Sequence, residues 1–243
     1  MKETSKTKIK NKKLVFDLGF HNGDDTDYYL SKGFRVIAVE ANPDLVAEGK
    51  VRFEKYISAK KLVLLNMAIS DVKEKVSFYI HPTKPDWSSC NKKLAEIDGS
   101  KSRKIVVDTV SFRGLCRQFG TPFYVKVDIE GSDILVAKEL YSLKQKPEYI
   151  SFETSKQTYM AVFSWLYVSG YKKFQLVNQQ NNPIRCGDYK FTKYSSGFFG
   201  NYLSKDRWLD FNEALSRYMK YKELKVIDNQ ELALGWLDIH AKL

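Results

Sequence analysis

Short apolar runs of strand length recur along this chain, and the stretches between them carry apolar residues at three- and four-residue spacing. Leu14–Leu18 is the first run, followed by a helical pattern from Asp24 to about Lys32 that Gly33 stops. Asp24 reads as the N-cap of that helix. Arg35–Glu40 is the second run, and Asn42-Pro43 opens a helix directed toward Tyr56, with proline at its first position. Leu62–Asn66 and Val76–Ile80 follow as strands. Residues 81–103 break the rhythm and read as a long loop with one short helix, a length that in compact domains marks function or disorder.

The alternation then resumes. Lys104–Val110 is a strand, and Ser111 caps a helix reaching about Phe119. Phe123–Ile129 is the most apolar strand, interrupted by Lys126, and Gly131-Ser132 opens a helix with Ile134, Ala137, Leu140 and Tyr141 on one stripe. Tyr149–Phe152 is a strand, Met160–Val168 a buried helix that includes Trp165, and Lys172–Val177 another strand. Asn178–Gly200 reads as a Tyr- and Phe-rich loop, Trp208 to Tyr218 as an amphipathic helix, and Leu232–Leu243 as too apolar to float free. Strands alternating with helices predict an α/β fold, a mostly parallel Rossmann-like sheet with helices on both faces. A single domain over 14–243, preceded by a basic and partly disordered arm over 1–13, accounts for the pattern.

Composition narrows the setting. With 43% hydrophobic and 28% charged residues the chain is an ordinary globule, and no apolar run reaches the ~20 residues of a membrane span. The arm lacks the apolar centre of a secretory signal. The three cysteines, Cys90, Cys116 and Cys186, share no metal-ligand spacing and read as reduced thiols of a cytoplasmic protein. No metal site is expected. Net charge is +11, of which the arm's six lysines against Glu3 supply +5. Such an arm attracts nucleic acid, anionic lipid or acidic glycan without specificity, or simply aids solubility.

The chemistry concentrates in V-F-D-L-G-F-H-N-G-D-D-T, Val15 to Thr26, where a strand meets Gly19 and Gly23 and then a helix start. Backbone can approach a nucleotide-like ligand closely at such a turn. Glu40, ending the second strand 17 residues past Gly23, suits a ribose diol because a carboxylate accepts from both hydroxyls. A dinucleotide fingerprint would place a second glycine where Phe20 and His21 stand, and Asp17 disfavours a pyrophosphate beside the turn. The same carboxylate suits the cationic end of S-adenosylmethionine. Asp17, Glu40, Asn66, Asp128, Glu130 and Glu153 all close strands, so they converge on the rim where such sheets bind ligands.

The chain resembles the FkbM family of S-adenosylmethionine-dependent methyltransferases from about Leu14 to Trp208. Val15–Thr26, V-I-A-V-E-A-N-P at Val36–Pro43, N-M-A-I-S-D at Asn66–Asp71, W-S-S at Trp87–Ser89 and V-D-T-V-S at Val107–Ser111 carry the likeness. Y-V-K-V-D-I-E-G at Tyr124–Gly131 is the most specific stretch, supported by Y-I-S-F-E at Tyr149–Glu153 and S-S-G-F-F-G at Ser195–Gly200. The resemblance implies a class I methyltransferase sheet and, in several members, methylation of a hydroxyl on a sugar or natural product. It implies that Asp17, Gly19 and Gly23 surround the methionine part of the cofactor. Glu40 would hold the ribose with Asn42 nearby, and Ala68 and Ile69 would border the adenine. Asp128 and Glu130 would stand where methyl meets acceptor. Phe20-His21-Asn22 departs from the commoner Ala-Asn-Ile/Val and leaves His21 near the methionine end or the acceptor.

Catalysis needs an aligned acceptor and a base for its proton. Asp128, Glu130 and His21 are the candidates; Asp128 is preferred for a joint cofactor and acceptor role, and pairing of Asp128 or Glu130 with Glu153 is chemically plausible. His81 and His240 read as ordinary satisfied or surface residues. Trp87 suits stacking on a sugar or the adenine, or simple packing. The leading function is an O-methyltransferase acting on a glycan or small-molecule hydroxyl. An RNA methyltransferase is the alternative that the basic arm raises, although no basic-aromatic platform favours nucleic acid. A non-catalytic nucleoside-binding or scaffold protein is the third.

Overall fold

A computed structural model of the protein describes residues 11–72, 74–155, 158–179, 189–223, 226–227, 230–231 and 237–243. Cys186, Leu234, Trp236 and the first ten residues of the arm lie outside them. In chain order the elements are β1 (Asn11–Leu18), α1 (Asp24–Ser31), β2 (Arg35–Glu40), α2 (Pro43–Arg52), α3 (Glu54–Ser58), β3 (Leu62–Asn66), β4 (Ala68–Ile69), β5 (Lys75–Ile80), α4 (Lys92–Ala95) and β6 (Arg103–Val110). They continue as α5 (Phe112–Phe119), β7 (Pro122–Val127), α6 (Asp133–Ser142), β8 (Tyr149–Thr154), α7 (Tyr159–Val168), β9 (Lys173–Asn178), α8 (Phe211–Glu223), the short pair β10 (Val226–Ile227) and β11 (Gln230–Glu231), and β12 (Leu237–Lys242).

The main sheet has seven strands in the order β3-β2-β1-β7-β8-β12-β9. All its ladders are parallel except those of β12, which runs antiparallel between β8 and β9. This is the class I methyltransferase sheet, mostly parallel with one inserted antiparallel strand. The chain leaves β1 toward β2 and β3, then returns to the other side of β1 with β7. The switch in strand order therefore falls between β1 and β7, and the crevice beyond their carboxyl ends is the natural ligand position. A separate small sheet, β4-β6-β5, flanks that crevice.

The pleat sends neighbouring residues to opposite faces, and the two faces differ. One face packs Leu18, Val127, Phe152 and Ile239 in register against α5, α6, α7 and α8, whose Phe112, Leu140, Phe163 and Ala214 are fully buried. The other face packs Val15, Tyr124 and Tyr149 against Tyr28 and Tyr29 of α1 and Phe199 of the segment after β9. Each such buried aromatic or aliphatic side chain contributes about 1.5–3 kcal/mol by leaving water. On that second face one row is polar throughout: Asp17, Lys126, Ser151, His240 and Gln175 lie in register across five strands. All five are buried.

Several sequence expectations shift. β1 begins at Asn11, three residues before the expected start at Leu14, so residues 11–13 of the arm are strand. Gly23, not Asp24, occupies the N-cap of α1, because the turn needs a left-handed residue there (φ 83°) and a glycine meets that at no steric cost. The helix expected from Trp208 starts at Phe211. Residues 237–242, expected only to be packed, form β12 in the middle of the sheet. His240 is buried with its Nε2 lacking a hydrogen-bond partner, and burial depresses its pKa to about 3. Cys90 and Cys116 are free thiols, the second pushed up to about 12 by burial.

Candidate active site

Two backbone turns meet at the switch point. Asp128 N–H donates to the Leu18 carbonyl at 2.9 Å, and Gly19 and Phe20 N–H both donate to the Val39 carbonyl. A Cβ on Gly19 would stand 1.8 Å from the Asp128 carbonyl oxygen, so only glycine lets the β1 and β7 ends approach this closely. Beyond these turns opens a cavity of about 680 Å³, a size that suits a nucleoside-sized ligand with room beside it. It is lined at one end by Leu45, Met67, Ala68, Ile69 and Phe78, an apolar slot. At the other end stand Asp25, Asp128, Glu130 and Glu153 with Lys126.

Glu40 lies between these ends, buried. Its Oε2 accepts the His21 N–H at 2.9 Å and its Oε1 accepts the Asn42 N–H at 2.8 Å. Both oxygens are thus held in place while keeping lone pairs for a ligand, and burial raises the carboxyl above its ordinary value. Asn66, from the end of β3, donates its amide to the Glu40 and Ala41 carbonyls and fixes the backbone around that carboxylate. Asn42 itself does not line the cavity; its side chain caps α2 by accepting from Asp44 N–H at 3.0 Å. Gly23 is likewise outside, packed on Phe20 and Phe53.

Lys126 organises the acidic end. Its Nζ lies 3.2 Å from Asp128, 3.3 Å from Asp25 and 3.8 Å from Asp17, and donates to the Gly19 carbonyl at 3.0 Å. Burial works against its charge, but Asp128, Asp17 and Asp25 outweigh that and hold the ammonium well above the usual lysine value. Asp17 is fully buried behind Lys126 and does not line the cavity. Its Oδ2 accepts from Thr26 at 2.6 Å, its Oδ1 has no hydrogen-bond partner, and burial lifts its pKa to about 7. Burial, then the neighbouring carboxylates of Asp128, Asp133 and Asp86, push Glu130 up to about 8. Glu153 is raised well above its ordinary value by burial and then by Asp128, Asp238 and Glu130. Asp238 of β12 faces Glu153 in register, is buried with its Oδ1 unpartnered, and is pushed up to about 8 chiefly by burial.

The turn after β7 is shaped for display. Glu130 sits at φ 43°, an uncommon conformation for a side-chain-bearing residue, and its carbonyl accepts from Ser89 Oγ at 2.6 Å. No side chain caps α6: Asp133, in its first turn, instead accepts from Ile129 N–H and Gly131 N–H at 3.1 Å each and braces the turn ahead of it. Glu130 is thereby free of a capping role. His21, at φ 48°, also lines the cavity, with burial and then Lys126 lowering its pKa.

The structure brings together Gly19, His21, Glu40, Ala68, Ile69, Asp128 and Glu130 around one cavity, and leaves Asp17, Gly23 and Asn42 behind its wall. Sequence reasoning missed Asp25, Leu45, Phe78 and Asp238, and read Lys126 only as an interruption. A lysine inside an otherwise apolar strand was the available signal, since burial of an ammonium demands carboxylates around it. Among the described residues, no group of His, Cys, Asp and Glu is arranged to hold a metal ion, and no helix is long and apolar enough to cross a membrane.

The sheet order and the placement of the cavity define a class I methyltransferase. A model of the methyltransferase FkbM domain matches residues 17–174 of the 243-residue chain, and the protein belongs to that family. S-adenosylmethionine is the methyl donor that this membership implies. No curated protein sequence matches the chain. Solved structures of similar architecture include the C-terminal domain of precorrin-6Y C5,15-methyltransferase from Rhodobacter capsulatus (TM-score 0.42, 10% identity, 71% of this chain and 70% of that chain). Others are precorrin-6y C5,15-methyltransferase from Geobacter metallireducens (TM-score 0.41, 12% identity, 98% and 84%) and a dimethyladenosine transferase from Plasmodium falciparum (TM-score 0.38, 14% identity, 72% and 52%).

Proposed function

We propose that the protein is an O-methyltransferase that methylates a hydroxyl of a sugar, a glycan or a small metabolite. The observation that carries this reading is one cavity joining a nucleoside-shaped end to an acidic end. The apolar slot of Leu45, Met67, Ala68, Ile69 and Phe78 suits an adenine, and the pre-oriented Glu40 suits a ribose diol. Asp25, Asp128, Glu130 and Glu153 crowd around a single Lys126. Burial and mutual repulsion push Asp25, Glu130 and Glu153 toward their neutral forms, and a cationic group among them would draw them back to the charged form, so this end suits one. Behind them stands Asp17 with its unpartnered Oδ1. These features fit S-adenosylmethionine, which when bound supplies a methyl carbon made electrophilic by its sulfonium.

The protein's own tasks are to orient the acceptor hydroxyl, exclude water and take its proton. Asp128 is tied to Lys126 at 3.2 Å, which favours a positioning role. Glu130, freed from capping and pushed up to about 8, is the better proton acceptor, because a base works best with a pKa near the working pH. His21 lines the same cavity, and burial favours its uncharged imidazole, which suits it to orient the hydroxyl.

Calorimetry with S-adenosylhomocysteine tests the cofactor half, and Glu40→Ala is expected to weaken binding at least about ten-fold, or ~1.4 kcal/mol. Incubation with labelled cofactor and fractionated cell extract tests the acceptor half. Label in ribonuclease-resistant carbohydrate or small molecules is the expected result. Label that ribonuclease releases would overturn the acceptor class, and absence of S-adenosylhomocysteine binding would overturn the whole reading.

A further inference from the structure

The cavity has a second group of charged side chains at its exposed end, where Lys84 and Lys193 stand with Asp86, and Asp98 lies beside Lys84. Two segments build it. Residues 80–88 form a loop closed at its base by the Tyr79–Ser89 pair, whose backbones exchange hydrogen bonds at 2.9 and 3.1 Å. Inside that loop the buried His81 accepts Thr83 N–H (3.2 Å) and Lys84 N–H (3.0 Å) on Nδ1. Nδ1 therefore carries no proton, and Nε2, 3.2 Å from both carboxylate oxygens of Asp98, carries it. His81 is a buried bracket and not an ordinary surface histidine.

The bracket fixes Lys84. Its Nζ sits 3.5 Å from the centroid of the Trp87 ring and 3.4 Å from Asp98. An ammonium has three N–H donors, so those to Asp98 and the ring leave one for a ligand. The same contact covers one face of Trp87, which weakens the case for a neutral sugar stacking there. Across the turn after β1, the second segment places Lys193 4.7 Å from the Tyr194 ring centroid, and Tyr194 packs edge-on against His21. That segment is pinned by the aspartates that open α1: Thr192 Oγ1 donates to Asp24 at 2.6 Å and Ser196 N–H to Asp25 at 2.8 Å. Lys84, Trp87, Lys193 and Tyr194 all line the cavity, with Asp86 the one carboxylate on these two segments that does so.

We infer that the acceptor is an anionic hydroxyl compound, a sugar or glycan residue carrying a carboxylate or a phosphate, held at the mouth by Lys84 and Lys193. This rests on the methyltransferase reading of the floor. The two lysines bind the anion, so the charged end stays outward and a hydroxyl is presented inward toward Glu130. Each lysine is pre-positioned on an aromatic ring, which limits the ordering cost of binding.

The test is calorimetry on protein saturated with S-adenosylhomocysteine, using 4-nitrophenyl β-D-glucuronide, glucose 6-phosphate and the neutral 4-nitrophenyl β-D-glucoside. At least one anionic probe is expected to bind ten-fold or more tightly than the glucoside, weakening as salt rises. Which anion wins tells a carboxylate acceptor from a phosphate one. The Lys84→Gln/Lys193→Gln double variant is expected to lose the preference while still binding S-adenosylhomocysteine. Equal binding of charged and neutral probes, binding of none, or a preference that survives the double substitution overturns the inference. Failure of S-adenosylhomocysteine to bind the unsubstituted protein instead overturns the methyltransferase reading beneath it.

Discussion

The two faces of the central sheet are made from the same strands yet obey different physics. On one, Leu18, Val127, Phe152, Ile239 and Leu176 form an apolar row whose stability comes from area removed from water. On the other, Asp17, Lys126, Ser151, His240 and Gln175 cross the same strands one residue away. A buried polar row is tolerated only where partners compensate it, and here compensation is incomplete: Asp17 Oδ1, Asp238 Oδ1 and His240 Nε2 have no hydrogen-bond partner. The apolar face holds the fold, and the polar face holds a charge imbalance that a cationic ligand can relieve.

That contrast is most sharply broken by Lys126→Met. It strands Asp17, Asp25 and Asp128 around an apolar side chain, and a loss of about 3–5 kcal/mol is expected at pH 8. The loss should shrink at pH 5, below the value of about 7 to which burial lifts Asp17. Ile239→Ala on the apolar face should cost about 3 kcal/mol from transfer and cavity terms, equally at both pH values. Urea denaturation at pH 5 and pH 8 compares the pair, and equal pH sensitivity would erase the distinction between faces.

Glu130→Gln probes the chemistry at the rim. Methyl transfer should fall about 100-fold, and the rise in rate as Glu130 ionises through about pH 8 should disappear. A variant that keeps the wild-type pH profile removes Glu130 as base.

The smallest effect has the less intuitive sign. With its carboxyl pushed up to about 8, Asp238 holds a proton in the folded state that the unfolded chain releases above about pH 4. Its contribution is full at low pH and is lost as pH climbs toward 8. Asp238→Asn, which mimics the protonated form, should raise Tm by about 2–4 °C at pH 8.5 for each ~1 kcal/mol recovered, and leave it unchanged at pH 4. Thermal melts at the two pH values decide this.

The apolar face was legible because alternation and helical spacing report burial directly: β2, β3 and β9 were read within a residue of their ends. The polar face was not. β12 carries Asp238 and His240 at the positions that face inward, so its alternation mimics an exposed strand or loop. Its pairing between β8 and β9 also depends on contacts far apart in sequence. β4 is only two residues long, too short for any pattern. In the candidate site, Glu40 closes β2 while Gly19, Asp128 and Glu130 follow the ends of β1 and β7, positions that a strand pattern marks, and all four line the cavity. Asp25 hid because an aspartate in the first turn of a helix reads as a favourable partner for the helix dipole. The clamp of His81 on Lys84 depends on a loop conformation that no periodicity encodes.

The insertion of β12 also sets the order in which the sheet can be completed. Among the described residues β9 has no ladder neighbour other than β12, and Leu237 lies 59 residues after Asn178, the end of β9. During synthesis or refolding β8 and β9 must therefore wait with facing, unpaired edges until that later stretch arrives between them. Such open edges are where other chains can add, and long-range pairing of this kind closes slowly. His240 arrives on the same strand, so Ser151 and Gln175 stay hydrated until the last strand is seated. The interior of the polar face dries only as the sheet closes.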